Sequence, residues 1–399
     1  MSIDKSQNSY NREIELILYC SRTYLDEQTK AKIQSLVNES LDWEYIFATC
    51  LQHKVTPLVF NSLKQIDTQA IPPKILDKFS SLFKAITIEN LSLASELLKI
   101  LEIFKLEKIP VIPFKGVVLA ASAYGDLALR HFGDLDMLIE ENNISRAIGI
   151  FNKLGYPPPK QITEIEEKPF LKFENFHESG YYKGAFDIID RQRQIALELH
   201  WTLFSKSFPF PVTFQDLWQR KDYVNIAGNK IPQFAAEDLL IYVCVHSSRH
   251  CWSCLNWICD VAELVRANPD LDWHQVENKA SQWGCQRMLH MGLILAHKLL
   301  DTTLPTNIKQ LIEQDRVANT LAENVAINLF NPSNTKYNQY AFLMNARERV
   351  KDKLIYSLNL LFAPTEEDWN YLSLPKYLHF IYYFTRPYRL LTSYLFRKA

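Results

Sequence analysis

The sequence predicts an α+β protein, with a small α/β core set between two helical regions. Glycine is scarce, 10 in 399 residues, against about 7% in an average protein, which suits a chain dominated by helices. Three of the ten, Gly116, Gly125 and Gly133, nonetheless fall within 18 residues. Glycine serves where backbone turns sharply or approaches a ligand closely, so the cluster marks that segment out. Apolar residues recur at helical spacing on both sides of it, whereas residues 109–204 carry short β-branched runs and period-two alternation.

From Asn11 to Lys105 the helical pattern passes through Ile14, Leu16, Ile17 and Leu18, then Trp43, Ile46, Phe47 and Leu51, then Leu91 to Phe104. Ile109 to Phe114 is short, apolar and β-branched, as a buried strand is, and Lys115-Gly116 leads into a small-residue helix from Val117 to Tyr124. A loop runs through Gly125 to His131, and Gly133 to Glu140 then alternates as a strand. Asn143 is placed to cap a helix from Ile144 to Leu154. The prolines between Tyr156 and Pro169 predict a surface loop or hinge. Tyr181 to Asp190 and Ile195 to Phe204 are further strands, joined by a charged turn at Arg191-Gln192-Arg193. Helices are expected at Ala235 to His250, Leu255 to Ala267, Trp273 to Leu300 and Ile308 to Leu329. The expected organisation is a helical region over 1–108, an α/β core over 109–233 and a second helical region over 234–399.

Composition excludes several classes. With 47% hydrophobic and 22% charged residues the chain can bury a large core, unlike a disordered protein or a coiled coil. Lys+Arg total 44 and Asp+Glu 45, a net charge of -1, so no whole-chain footprint for nucleic acid exists and DNA is not an expected partner. Seven cysteines without a regular framework fit a reducing cytoplasm. Met1 to Glu15 lacks an apolar signal core and no long apolar run follows, so neither a signal peptide nor a spanning helix is expected.

The chemistry concentrates in carboxylates. Asp134 and Asp136 are one residue apart on a strand, so both face one side while Leu135 and Met137 face the other. Two such carboxylates, about 7 Å apart along the strand, repel each other unless a cation or solvent intervenes. Magnesium, a hard ion that takes oxygen ligands, suits them. Glu198 could add a third carboxylate if its strand lies alongside, and Asp187 is its rival. Three carboxylates on adjacent strands make a two-metal site for phosphoryl or nucleotidyl transfer. Lys115-Gly116, at a strand-to-helix junction, suits phosphate, and Arg130 offers a planar fork for triphosphate oxygens. His200 shares the face of Glu198, either orienting it, touching substrate or acting as a structural partner.

The string Pro113-Phe114-Lys115-Gly116, Tyr124-Gly125-Asp126, Leu129-Arg130, Gly133-Asp134-Leu135-Asp136 and Glu198-Leu199-His200-Trp201 resembles an uncharacterised nucleotidyltransferase family of the polymerase-beta-like superfamily. The resemblance extends to Trp43 through Val59, to His246 through Asp260, and to Leu374-Pro375, Arg386-Pro387 and Arg389. It implies a nucleotidyltransferase-like mixed sheet and an enzyme that moves a nucleoside monophosphate from an NTP to an acceptor hydroxyl or amine. It also implies Mg2+ ligands at Asp134, Asp136 and Glu198, and a nucleotide-binding segment at Lys115, Gly116, Arg130 and Gly133. The acceptor is a small molecule, RNA or protein. The chain departs from the superfamily at Val117, where a serine usually follows the glycine, and a non-catalytic nucleotide-binding relative is the alternative.

Two other segments carry rival readings. Cys251-x-x-Cys254 with His246 and His250 supplies enough ligands for zinc, although its helical context favours packing against the core or shaping an acceptor pocket. After Asp368 no acidic residue occurs, while Lys376, Arg386, Arg389, Arg397 and Lys398 interleave with aromatics. That tail either packs as a helix or meets a membrane surface or RNA.

Overall fold

The computed structural model describes residues 11–157, 185–190, 192, 195–204, 208, 210–331, 339–362, 368, 371, 372, 374 and 376–396. Five helices come first: α1 (Asn11–Cys20), α2 (Glu27–Val37), α3 (Trp43–Gln52), α4 (Thr56–Leu63) and α5 (Pro73–Leu106). Aspartates start two of them. Asp26 accepts the backbone N–H of Thr29 at 2.7 Å and Asp42 that of Tyr45 at 2.9 Å, satisfying donors that a helix end leaves open.

Next come β1 (Val111–Phe114), the single helical turn α6 (Gly116–Leu119), a π-helical turn Ala120–Tyr124, β2 (Asp134–Ile139) and α7 (Ile144–Lys153). They are followed by β3 (Ala185–Asp190), β4 (Ile195–His200), α8 (Phe214–Arg220) and the hairpin β5 (Asp222–Ile226) and β6 (Asn229–Gln233). The remaining helices are α9 (Ala236–Arg249), α10 (Leu255–Ala267), α11 (Trp273–Trp283), α12 (Gln286–Leu300), α13 (Thr306–Gln314), α14 (Arg316–Leu329), α15 (Gln339–Ala346), α16 (Val350–Phe362) and α17 (Tyr382–Phe396). The fold is α+β, a small mixed sheet among many helices.

The sheet has the order β1-β2-β4-β3, with β2 parallel to β4 and β3 antiparallel to it. Register separates its two faces. Leu135 pairs with Leu197 and Met137 with Leu199 on the apolar face, all four buried, while Asp136 pairs with Glu198 on the other. Glu198 also pairs with Asp187 of β3.

The chain forms two compact units, each drawn from three stretches. One comprises residues 1–99, 114–133 and 220–348, and the other 100–113, 134–219 and 349–399. The second holds β2, β3 and β4, and its core includes Phe104, Phe151 and Tyr156, whose rings meet at centroid distances of 5.5 Å. In the first, Phe114 stacks on Phe234 at 5.2 Å and meets the edge of Tyr242 at 5.4 Å. Gly292 of α12 lets that helix approach α9 closely. A Cβ there would lie 2.5 Å from Cys244 Sγ and 2.9 Å from Trp252 Cη2. Gly292→Ala is therefore expected to cost about 1–3 kcal/mol through overpacking, read as a lower urea midpoint. An unchanged midpoint would show that α12 shifts freely.

Several boundaries differ from the sequence expectation. The helix expected over Trp273 to Leu300 is two, because Gly284 takes a left-handed φ of 72° and its N–H closes α11 on Ala280 and Ser281. The helix expected over Ile308 to Leu329 also breaks, at Asp315, whose side chain accepts from Ala318 N at 3.0 Å and starts α14. Asn143 makes no side-chain cap. A 3-10 turn at Glu141–Asn143 leads into α7 instead, and Asn143 Oδ1 accepts from Arg146 at 3.1 Å. The strand expected to reach Phe204 ends at His200. The hairpin β5–β6 falls where periodicity assigned no strand, turning at Ala227 and Gly228 with φ of 49° and 82°. Residues 158–169 of the proline-rich loop, 181–184 of the expected strand, and Arg191 and Arg193 of the turn lie outside the described residues.

Asp315 has a second partner. His290 sits with Nδ1 3.1 Å from Asp315 and Nε2 3.2 Å from Glu277. Burial opposes its charge, but the two carboxylates outweigh it and raise the imidazole to about 9. The folded value lies above the unfolded one, about 6.5. The stabilisation, up to about 3 kcal/mol, is thus full below about pH 6.5 and fades as pH rises through about 9. Urea midpoints across pH 6–10 should fall in this window for wild type and flatten in His290→Asn; parallel profiles would contradict the assignment.

Candidate active site

The β2–β4 pairing brings three donors together in the sheet-containing unit. His200 Nε2 lies 3.2 Å from Asp136 Oδ1 and 3.0 Å from Glu198 Oε2. All three residues offer ligand atoms within 4.8 Å of one another, and this is the one such group of three or more among the described residues. The side chains of Asp136 and His200 are 1% and 9% exposed, whereas Glu198 is 38% exposed, so the cluster has a closed floor and an open rim. Asp134 and Asp187 share this face of the sheet, by alternation on β2 and by register with Glu198, but lie outside the group. Two carboxylates and an imidazole converging in a largely buried site fit a divalent cation by donor chemistry.

The other unit contains the turn after β1. Lys115 has φ 58° and ψ −149°, and Gly116 has φ 36°. Lysine in that region costs about 1–3 kcal/mol, strain that clusters at ligand-binding sites. The Lys115 ammonium lies 5.4 Å from the centroid of Phe114 and 5.7 Å from that of Tyr242. Val117, at the position where the superfamily usually has a hydroxyl, is buried in the core. Gly133 has no positive φ, and a Cβ there would meet no described atom within 4 Å, so packing does not demand glycine.

Nearby in sequence, Arg130 is placed differently from expectation. Its Nε and Nη2 donate to the two oxygens of Asp260 at 2.7 and 2.8 Å, and Tyr124 donates to the same carboxylate at 2.6 Å. Arg130 is 6% exposed and Asp260 2%. The fork expected to hold triphosphate thus ties its loop to α10, and Asn90 Nδ2 bonds the Arg130 carbonyl at 2.8 Å. Burial first, then the Asp260 charge, keep the Tyr124 hydroxyl protonated far above its ordinary range.

His246 of α9 and His250, the residue that follows its last turn, have ring centroids 4.8 Å apart, and both meet Trp257 of α10, at 6.1 and 5.3 Å. Burial, then neighbouring positive charge including Lys115, lowers both imidazoles. The geometry does not support the zinc reading. These residues join no ligand group, Cys254 Sγ donates to the His53 carbonyl at 3.1 Å, and burial raises the Cys251 and Cys254 thiols to about 11.

The expected basic tail is partly neutralised within the sheet-containing unit. Asp368, 1% exposed, accepts from Arg386 at 3.0 Å and from Arg389 at 2.5 Å. Phe384 and Tyr388 are exposed, but Arg397 and Lys398 lie outside the described residues. No helix among those described is long and apolar enough to cross a membrane.

A family defined as uncharacterised nucleotidyltransferases matches residues 39–301. The chain belongs to that family. No curated protein and no solved structure matches it. The family match contains the Lys115-Gly116 turn, Asp134, the Asp136–Glu198–His200 cluster, and His246 and His250. It ends before α13, so the resemblance at Leu374-Pro375 and Arg386-Pro387 lies beyond it. Of the nucleotidyltransferase site expected from the sequence, the imidazole is the member that residue spacing did not rank with the carboxylates. Its signal was present, since Glu198 and His200 alternate on one strand face.

Proposed function

We propose that the protein is a metal-dependent nucleotidyltransferase that moves a nucleoside monophosphate from an NTP to an acceptor hydroxyl or amine. The observation that carries this reading is the convergence of Asp136, Glu198 and His200 in a chain of nucleotidyltransferase family membership. Asp136 and Glu198, with Asp134 at the start of the same strand, would hold Mg2+ or a similar ion. When bound, such an ion supplies charge neutralisation at the α-phosphate and triphosphate oxygens. Within its own unit, the turn at Lys115-Gly116 would offer phosphate a point charge and a backbone that allows close approach. Glu198, the most exposed member of the cluster, accepts the proton of the acceptor as its oxygen or nitrogen bonds to the α-phosphorus. The bond from that phosphorus to the bridging oxygen breaks, and pyrophosphate leaves.

The test is incubation of purified protein with each α-labelled NTP and divalent metal, alone and with cell extract. Label on an acceptor supports the reading and identifies the acceptor class. The buried Val117 favours one second reading, a relative that binds nucleotide without turnover. Nucleotide binding with no labelled product under any metal would replace the first reading with the second.

A further inference from the structure

We infer that His200 is itself a metal ligand, and that the centre selects a divalent ion accepting both nitrogen and oxygen, such as Mn2+, over Mg2+. The inference rests on reading the Asp136–Glu198–His200 cluster as a metal centre, but not on the identity of the reaction. The first argument is geometric. His200 Nε2 is 3.2 Å from Asp136 Oδ1 and 3.0 Å from Glu198 Oε2. Adjacent donors around a six-coordinate ion with bonds of about 2.1 Å stand about 3.0 Å apart. Both nitrogen–oxygen separations thus match neighbouring positions of one coordination shell, and the ligand atoms that the three residues offer all lie within 4.8 Å of one another.

The second argument is rigidity. His200 ends β4, paired with Leu138 on one side and Ala185 on the other, and its side chain is 9% exposed. It is not a surface imidazole that can swing away to leave an all-oxygen site. The third is chemical preference. Mg2+ strongly prefers oxygen and retains its waters, whereas imidazole suits first-row transition ions. Replacing one oxygen donor by nitrogen therefore costs Mg2+ more than Mn2+. The exposed rim at Glu198 leaves room for water or substrate oxygens to complete the shell.

Electron paramagnetic resonance of Mn2+ titrated into the purified full chain tests this, without dependence on turnover. The free-ion signal should fall as Mn2+ binds, and electron spin-echo modulation of bound Mn2+ should show coupling to a nitrogen nucleus. Displacing half of it should take at least about tenfold more Mg2+ than Mn2+. His200→Ala should abolish the nitrogen coupling and weaken Mn2+ by about tenfold or more, with a smaller loss for Mg2+, so that the gap between the two ions narrows. The wild-type echo measurement stands even if the variant fails to fold. Bound Mn2+ without nitrogen coupling, Mg2+ competing at parity in wild type, or no Mn2+ binding would each overturn the inference. Nitrogen-coupled Mn2+ with no nucleotidyl product keeps this inference and removes the proposed function. Nucleotidyl transfer supported equally by Mg2+ and indifferent to His200 does the reverse.

Discussion

Asparagine in place of Asp136 is expected to lower nucleotidyl transfer by about a thousandfold or more, some 4 kcal/mol of lost transition-state stabilisation, while the fold survives. Asp136 is the most deeply buried member of the cluster, in cross-strand register with Glu198 and 3.2 Å from His200. Its carboxylate is the proposed ligand held most firmly, buried on an interior strand of the sheet. Removing its charge also relieves repulsion from Glu198, so metal-free stability should hold within about 1 kcal/mol of wild type. Label transfer measured beside a urea titration in chelator separates the two effects. A variant that folds and retains activity within tenfold of wild type would remove the mechanism.

The largest stability effect is expected at Asp260. Asp260→Ala leaves the Arg130 guanidinium buried without its carboxylate and strips Tyr124 of its acceptor, at a cost of about 3–5 kcal/mol. Arg130→Met combined with Asp260→Leu removes both charges and should recover most of that loss, since an apolar replacement of a buried pair is often nearly neutral. Denaturant midpoints of the single and double variants check this. The result also decides what Arg130 does. If Arg130→Met leaves the midpoint unchanged and only weakens NTP binding, the guanidinium serves phosphate, and the structural assignment is wrong.

The two largest effects thus fall on residues that the sequence treated unequally. Asp136 announced itself, because a D-x-D on an alternating strand puts two charges on one face whatever surrounds it. Asp260 sits within a helical apolar pattern, 130 positions from Arg130, and nothing local links them. An arginine shortly before a D-x-D has the same local environment whether it later meets phosphate or a buried carboxylate. The tail behaves likewise. Its string of basic residues after Asp368 looks like a cationic surface, until Arg386 and Arg389 fold back onto that one aspartate.

Helix boundaries divide along the same line. The helix over Leu255–Ala267 lies where periodicity places it, because an apolar stripe and the absence of breakers suffice. The breaks at Gly284 and Asp315 required more than periodicity, which runs through both. Gly284 is legible in hindsight as a left-handed cap. Asp315 is not, because its side chain both caps α14 and meets His290.

What the sequence determined by itself was chemical inventory and local geometry: the α+β class, the strands that carry Asp134, Asp136 and Glu198, and the sharp turn at Lys115-Gly116. Backbone alternation and side-chain type act over a few residues and are written in their order. Only the tertiary structure decided which groups share an environment. It set Glu198 opposite Asp136, brought His200 within 3.2 Å of both carboxylates, and assigned Arg130 to Asp260. The physical reason is that strand register and burial depend on packing across the whole chain, and charges act through distances in space that spacing along the chain does not encode.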